Sequence, residues 1–575
     1  MRWRYSLLVL CGAFALLTGR AAADGGPIMP LSEVHAGMDC TGLTVVQGTT
    51  ISQFGVHVID LVQDPAEGPR ILVSVSGPAV DATGVAEGMS GSPIYCADGM
   101  GTPRNIGAIS EGIGEYGNRV ALATPIEQML GEPVTPPLSA PRFSIRGRPL
   151  LGPLAVGGLS PSVLTMLERA GRRAGRIVTA APSAPTASFP VQQLVPGASV
   201  ATQYSTGAVP VGAIGTVTYR DGQTVYAFGH ALDGAGRRSL LLEDAYVYYV
   251  VSNPNVADNT SYKLGAGGHT VGTLTSDTPN AVIGEVGAAP TLVPIDVTAR
   301  DLDTGTTLTQ HTDVADETDV GQPLGSSLVD LVAPLAVAQA ATQVYNGPTA
   351  SESGHMCLTV TLRELDKPLQ FCNRYVSTGV AGEGAEVPPA LALSASVDAT
   401  TALGLVDQVQ FASLHVTRVA AQITAQRGLH QATILDARAP KHVRPGERVS
   451  VRLRVQLYRS GQRTIPLTLR VPSSARGRTI ARIESAASST GGPSAAASAL
   501  SAALTTALSG TSPSDSSGGG SPPVSLGALR KAFAGVGVYD GLVARFGGAE
   551  SRHAYRDPNL LITGTARLVF QVAKR

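Results

Sequence analysis

The chain is poor in aromatic residues (5%, with one tryptophan) and in charge (15%), and its 43 basic and 43 acidic side chains cancel. Without a basic surplus there is no electrostatic footprint for nucleic acid and no polybasic membrane patch. The His-Glu-x-x-His pair, the phosphate-binding Walker loop and the paired Cys-x-x-Cys spacing are all missing. The histidines stand at no metal-ligand spacing and the acidic residues form no calcium loop, so neither a metal nor a nucleotide cofactor is expected. What remains is a chain of 575 residues, 43% hydrophobic, with 66 glycines and 39 prolines. That length suits several domains. The glycine and proline content favours many short strands joined by turns over long helices.

Residues 1–23 read as a secretory leader. Arg2 and Arg4 precede an apolar run over 5–17, and Ala21-Ala22-Ala23 offers the small residues that a signal peptidase accepts. The run is too short for a comfortable membrane span, and no stable span is expected once it is removed. Four cysteines then remain, an even number that suits disulfides in an oxidising compartment. Cys357 and Cys372 flank two alternating runs around Asp366-Lys367-Pro368, so a hairpin would set them opposite each other. Cys40 and Cys96 pair by elimination. The expected location is periplasmic or extracellular.

The expected fold class is mainly β. Short strands and turns fill a first unit, 24–135. A Pro-rich connector, 136–195, carries one helix that starts at Ser160 with Pro161 in its first turn. A second strand-rich unit, 196–395, contains an Asp221-Gly222 hairpin turn, an apolar helix over 323–345 and the Cys357–Cys372 hairpin. Residues 396–482 read as a separate β-sandwich, since Val449, Val451, Leu453, Val455 and Leu457 alternate cleanly. The Ser/Ala/Gly/Pro-rich stretch 483–523 reads as a flexible linker or disordered loop. Residues 524–575 are expected to complete the sandwich.

The sharpest chemical signal is Gly88-Met89-Ser90-Gly91-Ser92-Pro93. A serine nucleophile needs a tight turn that exposes its hydroxyl and aims N–H groups at the developing oxyanion, and glycines permit that backbone. The N–H groups of Gly88 and Ser90 would form the oxyanion hole. The hexapeptide is close to the nucleophile turn of chymotrypsin-like peptidases, and the fold class expected from it is a chymotrypsin-like double β-barrel followed by the sandwich. A base is needed as well. His230 ends the apolar run Val225-Tyr-Ala-Phe-Gly-His230, at a strand end suited to a cleft. For the acid that orients the imidazole, Asp277 is the first candidate, Asp233 and Asp244 are alternatives, and Asp81 near the nucleophile is a further one.

These segments together resemble the peptidase family typified by stage IV sporulation protein B. The resemblance runs over roughly 29–310 and includes Thr41-Gly-Leu-Thr-Val-Val-Gln-Gly48, Val75-Ser-Gly-Pro78 and Thr83-Gly-Val-Ala-Glu-Gly-Met-Ser-Gly-Ser-Pro-Ile94. It continues through Ile106-Gly-Ala108, Thr124-Pro-Ile126, Ala227-Phe-Gly-His-Ala-Leu232, Val271-Gly-Thr273 and Ile283-Gly284. It implies a serine endopeptidase acting outside the cytoplasm on a protein or peptide, with Ser90 as nucleophile and His230 as base. The order of the two segments is reversed relative to that family, and an aspartate found there before the nucleophile turn aligns with Gly77. A non-catalytic cell-envelope adaptor that keeps the fold is the alternative, and an enzyme that cleaves mainly itself is a third reading.

Overall fold

The computed structural model describes residues 25–573 apart from 66, 115–116, 138–143, 146, 151–152, 183–187, 253–260, 346–348, 379–386, 486–492, 510–521, 537–540, 547–548, 554, 556 and 558. The leader 1–23 lies outside the described residues. The protein is mainly β.

Six strands make the first unit: β1 (Asp39–Gln47), β2 (Thr50–Asp64), β3 (Gly68–Ser76), β4 (Pro93–Ala97), β5 (Pro103–Gly112) and β6 (Val120–Pro125). Their antiparallel pairings run β1–β2–β3–β6–β5–β4 and return to β1, closing a ring. Closure pairs each strand on both sides over most of its length, while Glu111 and Gly112 at the end of β5 run past β4 and pair with Pro149 and Arg148. The inward residues, among them Val56, Val58, Ile71, Val73 and Ile94, form one hydrophobic cluster. Cys40 and Cys96 are directly opposed across β1 and β4 and are bonded, with Cα atoms 4.4 Å apart. This disulfide spans 56 residues of sequence, and restricting the unfolded chain over that span stabilises by about 4 kcal/mol. A short helix, α1 (Ile126–Leu130), ends the unit at Gly131, whose φ is +75°.

The connector carries β7 (Arg148–Pro149), β8 (Leu154–Val156), α2 (Pro161–Arg173) and β9 (Val178–Ala180). Helix α2 starts where the Ser160-Pro161 signal lies, with proline in its first turn, where the missing N–H costs nothing.

The second unit repeats the first topologically. Its strands are β10 (Ser199–Gly207), β11 (Val211–Asp221), β12 (Thr224–Ala227), β13 (Gly236–Val251), β14 (Tyr262–Thr278) and β15 (Ala281–Val286). The pairings run β10–β11–β12–β15–β14–β13 and return to β10. Numbered within each ring, both have the order 1-2-3-6-5-4. The Asp221-Gly222 turn joins β11 to β12 as its sequence predicts, with Gly222 at φ +60°.

From this ring the sheet extends through β16 (Leu292–Asp301), β17 (Thr307–Ala315), β18 (Ser351–Leu362) and β19 (Leu369–Thr378). Cys357 and Cys372 face each other across β18 and β19 and are bonded. Between β17 and β18 lies α3 (Leu328–Val344), buried nearly all round. After β19 come α4 (Ala390–Asp407) and β20 (Val416–Arg427). The sequence reading assigns 396–427 to the last β-domain. Here those residues end α4 and supply a strand paired parallel to β16 and antiparallel to β18. The reason is packing: Leu391, Ala395, Ala399, Ala402 and Leu403 bury against the α3 side of the same core. Helix α4 is long and apolar enough to cross a membrane, yet more than half of it is buried within the protein.

The stretch 483–523 also differs from its expectation of a linker. Residues 493–509 form α5 (Pro493–Ser509), and Leu500, Leu504 and Leu508 are buried in the large core. Leucines spaced by four fall on one helical face, which offsets a composition otherwise typical of linkers. Residues 486–492 and 510–521 lie outside the described residues. A further helix, α6 (Leu526–Val536), buries Leu529 and Phe533.

The last unit has two sheets, one of Gln431–Arg438, Arg448–Leu457, Gln462–Arg470 and Leu561–Thr563, the other of His442–Val443, Gly477–Ser485, Leu542–Phe546, Ala549–His553 and Thr565–Val572. Both contribute to one cluster that includes Val449, Val451, Leu453 and Val455 with Ala481, Leu568 and Phe570. Thr565–Val572 pairs with Gly477–Ser485 across the intervening segment.

Candidate active site

Ser90 lies in the connection between β3 and β4. Gly88 and Gly91 take φ values of +86° and +88°, open to glycine and costly for other residues. A Cβ on Gly91 would stand 2.0 Å from the Thr216 carbonyl oxygen and 2.5 Å from Phe228 N. The turn therefore docks on the second ring through a position only glycine can fill. Within it four N–H groups are used and two are not. Those of Glu87, Met89, Gly91 and Ser92 donate to Ser261, Ala86, Ile109 and Met89 carbonyls. Those of Gly88 and Ser90 have no acceptor among the described residues. They are the two groups expected to line an oxyanion hole.

His230 lies at the equivalent place in the second ring, between β12 and β13. The preceding residues Phe228 and Gly229 have φ +70° and +71°. A bulky residue in this region is strained, and such strain persists only where the surroundings fix it. Here Phe228 N donates to Thr216 O at 3.3 Å, while Thr216 N donates to Ser90 O at 2.9 Å. Gly229 O accepts from Thr124 Oγ1 at 2.7 Å, and a Cβ on Gly229 would lie 3.3 Å from the Ile109 carbonyl oxygen. Ile109 is also the acceptor for Gly91 N. The serine turn and the histidine segment thus abut, held by Thr216 on one side and Ile109 on the other.

Both candidate side chains are buried. Ser90 is 0% exposed and His230 1%, and among the described residues neither Ser90 Oγ nor His230 Nε2 makes a hydrogen bond of good geometry. Native structures tolerate few such groups. The two come from separate rings and lie in abutting segments. His230 Nδ1 hydrogen-bonds the Ala231 carbonyl at 2.7 Å. Burial holds its pKa below the ordinary value, although the Ala231 and Leu150 carbonyls and the Asp277 charge favour the protonated ring. A neutral imidazole results, the form a general base requires.

Of the four aspartates, Asp277 stands nearest in role. It lies on β14, fully buried, and accepts the N–H groups of Leu232 (2.7 Å), Asp233 (2.8 Å) and Ala235 (3.2 Å). Its carboxylate therefore shapes the loop that follows His230, while Nδ1 itself is taken by Ala231. Asp233 is otherwise engaged, with Arg176 at 2.8 Å, Arg238 at 2.6 Å and the Tyr204 hydroxyl at 2.7 Å. Burial would raise its pKa, and the two arginines outweigh burial and lower it. Asp244 receives Gln192 N and pairs with His269 at 3.0 Å. Asp81 is exposed and accepts from Gly77 N at 3.0 Å.

The sequence reading passed over Lys263. Its stem packs against Gly88, where a Cβ would meet the lysine Cβ at 3.2 Å. Its Nζ donates to Ser199 Oγ (3.2 Å) and Thr216 Oγ1 (3.0 Å), and Thr216 Oγ1 donates to Gly88 O at 3.1 Å. This chain of bonds fixes the carbonyl on one side of the peptide that follows Gly88. Among the described residues Ser90 Oγ receives no bond from Lys263, whose contacts are with Gly88, Ser199 and Thr216. The available signal was a lone lysine at an inward position of β14.

Burial pulls the Lys263 pKa from 10.5 to about 7. Between those values the unfolded chain binds more protons than the native one, so this group makes stability rise with pH across that window. Lys263→Met removes the slope. The variant is expected to gain most over wild type at pH 7 and below, with the gap closing toward pH 10.5; urea midpoints taken across that range test this. A gap independent of pH would contradict it.

Comparison with protein-family models, with curated proteins and with solved structures found no match.

Proposed function

We propose that the chain is an extracytoplasmic serine endopeptidase with a chymotrypsin-like double β-barrel, related to the family typified by stage IV sporulation protein B with its two halves in reversed order. The observation that carries this reading is the pair of buried, unpartnered atoms Ser90 Oγ and His230 Nε2, contributed by two rings of identical strand order at equivalent connections. The unused N–H groups of Gly88 and Ser90 support it.

In the proposed reaction, Ser90 Oγ bonds to the scissile carbonyl carbon as its proton passes to His230 Nε2. The carbonyl oxygen, now negative, is held by Gly88 N–H and Ser90 N–H. His230 returns the proton to the leaving amine as the C–N bond breaks. Water then repeats the sequence and frees the acid, which leaves no need for a cofactor. Asp277 acts by fixing the loop after His230. The two disulfides fit an oxidising compartment, periplasmic or extracellular.

The pH dependence of peptide hydrolysis tests the base. Because burial lowers the pKa of His230, kcat/KM is expected to rise with pH along a limb below 6.5 and to be level by neutrality. His230→Gln should abolish that limb together with the activity. A folded wild type that hydrolyses no peptide at any pH would favour a second reading, an adaptor that keeps the fold without the chemistry. That reading is supported by the Ala231 carbonyl, and not Asp277, holding Nδ1 of the imidazole among the described residues.

A further inference from the structure

The connector after the first ring does not stay clear of the site. Ile145 N donates to Gln63 O at 3.2 Å, and the chain then turns across Glu111 at Gly147, where a Cβ would lie 2.0 Å from the Glu111 carboxylate. Arg148 and Pro149 next pair antiparallel with Gly112 and Glu111 of β5. Leu150 N donates to Ser110 O at 2.9 Å. The order along β5 matters: Ile109 holds the nucleophile turn through Gly91 N, Ser110 holds Leu150, and Gly112 faces Arg148. The segment therefore advances along the strand toward Ser90 with each residue.

Its last described residue arrives at the His230 imidazole, with its carbonyl there and not on the Gly88 and Ser90 N–H groups. Leu150 is 2% exposed, and its side chain enters the hydrophobic cluster of the first ring. It passes beside Gly112, where an added Cβ would stand 3.3 Å from Leu150 Cδ2. The Leu150 carbonyl lies by the His230 imidazole, close enough to favour its protonated form, while among the described residues Nε2 makes no hydrogen bond of good geometry. Pro149 has no N–H, and its place opposite Glu111, between two hydrogen-bonding positions, asks for none. An extended segment added to a sheet edge, with backbone bonds at alternate residues and one side chain in a pocket, is how a peptide is held by β-augmentation.

We infer that residues 148–150 occupy the substrate groove of their own molecule as the acyl side of a peptide would, so that the site takes an extended segment with a leucine-like residue immediately before the bond to be cut, and this segment must vacate the groove before another peptide enters. The inference rests on the endopeptidase reading. It adds the identity of the specificity strand, β5 from Ser110 to Gly112, and the apolar character of the residue that strand selects.

The experiment compares wild type with Leu150→Asp and Leu150→Gly, each checked for wild-type-like melting. Labelling of Ser90 by a fluorophosphonate is expected to quicken about tenfold in both variants, because the groove is no longer filled in most molecules. The anilide acetyl-Gly-Arg-Pro-Leu is expected to be cut on the order of 10- to 100-fold faster than the same peptide ending in Asp or Lys. Should either variant fail to fold, wild type is treated with the boronic acid acetyl-Arg-Pro-boroLeu. Hydrogen exchange at the Leu150 amide should then rise as the inhibitor takes its place. A wild-type fragment ending at Leu150, absent from Ser90→Ala, would support the inference as well. Equal labelling of all forms without preference among the anilides, or an inhibitor that binds and leaves Leu150 protected, would overturn it. An absence of labelling in every form would instead remove the endopeptidase reading on which it stands.

Discussion

Ser90→Ala is expected to lower peptide hydrolysis by about six orders of magnitude, to the residue of rate that binding and oxyanion stabilisation supply without a nucleophile. It should also make the protein more stable, not less. Ser90 Oγ is buried with no hydrogen-bond partner among the described residues, and a desolvated hydroxyl without a partner costs about 1–3 kcal/mol. Alanine removes that cost and leaves the backbone bonds of the turn, Gly91 N to Ile109 O and Thr216 N to Ser90 O, in place. Loss of activity together with a raised urea midpoint separates a reactive serine from a structural one. A structural hydroxyl would show the reverse, a destabilised protein of unchanged activity. Folding sites that carry chemistry often hold such locally unfavourable groups, and stability recovered by removing them comes with lost function.

Arg238→Leu is the second large effect, expected to cost about 3–5 kcal/mol in stability, the range for removing one partner of a buried ion pair. The Arg238 side chain is 0% exposed and lies among three acids. Its Nε and Nη2 donate to the two oxygens of Glu317 at 2.7 and 3.0 Å, and Nη1 donates to Asp233 at 2.6 Å. Asp277 lies 3.7 Å away. Without the guanidinium, Glu317 keeps the N–H of Ser239, while Asp233 keeps Arg176 and Tyr204. The sign of the pH dependence follows. Asp233 has a lowered pKa in the folded state because the arginines outweigh its burial. The stability it contributes is present above the usual carboxylate range and lost as pH falls. The penalty of Arg238→Leu should therefore be greatest near neutrality and shrink in acid, as measured by denaturation at pH 7 and pH 4. Activity should fall as well, since Arg238 on β13 contacts both Asp233 in the loop after His230 and Asp277 on β14, which holds that loop.

Local chemistry made part of this legible from residues alone. The Asp221-Gly222 turn, the Ser160-Pro161 helix start and the alternation from Val449 to Leu457 each act over a few residues, and each stands in the structure. The cysteine pairs were readable because one hairpin fixed Cys357 against Cys372 and left a single remaining pair. Ser90 and His230 could be singled out by their glycine-rich turns. That Gly91 must lack a side chain because Thr216 and Phe228 press on it is a fact of tertiary packing. The same limit hid α5, whose Leu500, Leu504 and Leu508 face is outvoted by serine and alanine in any count of composition. It also hid β20, which alternates like a sandwich strand yet finds its partners on β16 and β18. Lys263 reads as an ordinary charge until burial and the bonds to Thr216 give it a place behind Gly88. Leu150 gave no sign at all, because its meaning lies in which strand edge the connector happens to meet.

The central claim is that one hydroxyl and one imidazole, from two separate rings, act on the same carbonyl. Fluorophosphonate labelling followed by mass spectrometry of the modified peptide tests it most directly, using wild type and Leu150→Gly so that an occupied groove cannot hide the serine. The account predicts a single adduct on Ser90 in both proteins, faster in the variant and abolished by His230→Gln. Two folded proteins that carry no adduct, or an adduct on Ser90 that forms at the same rate without His230, would contradict it.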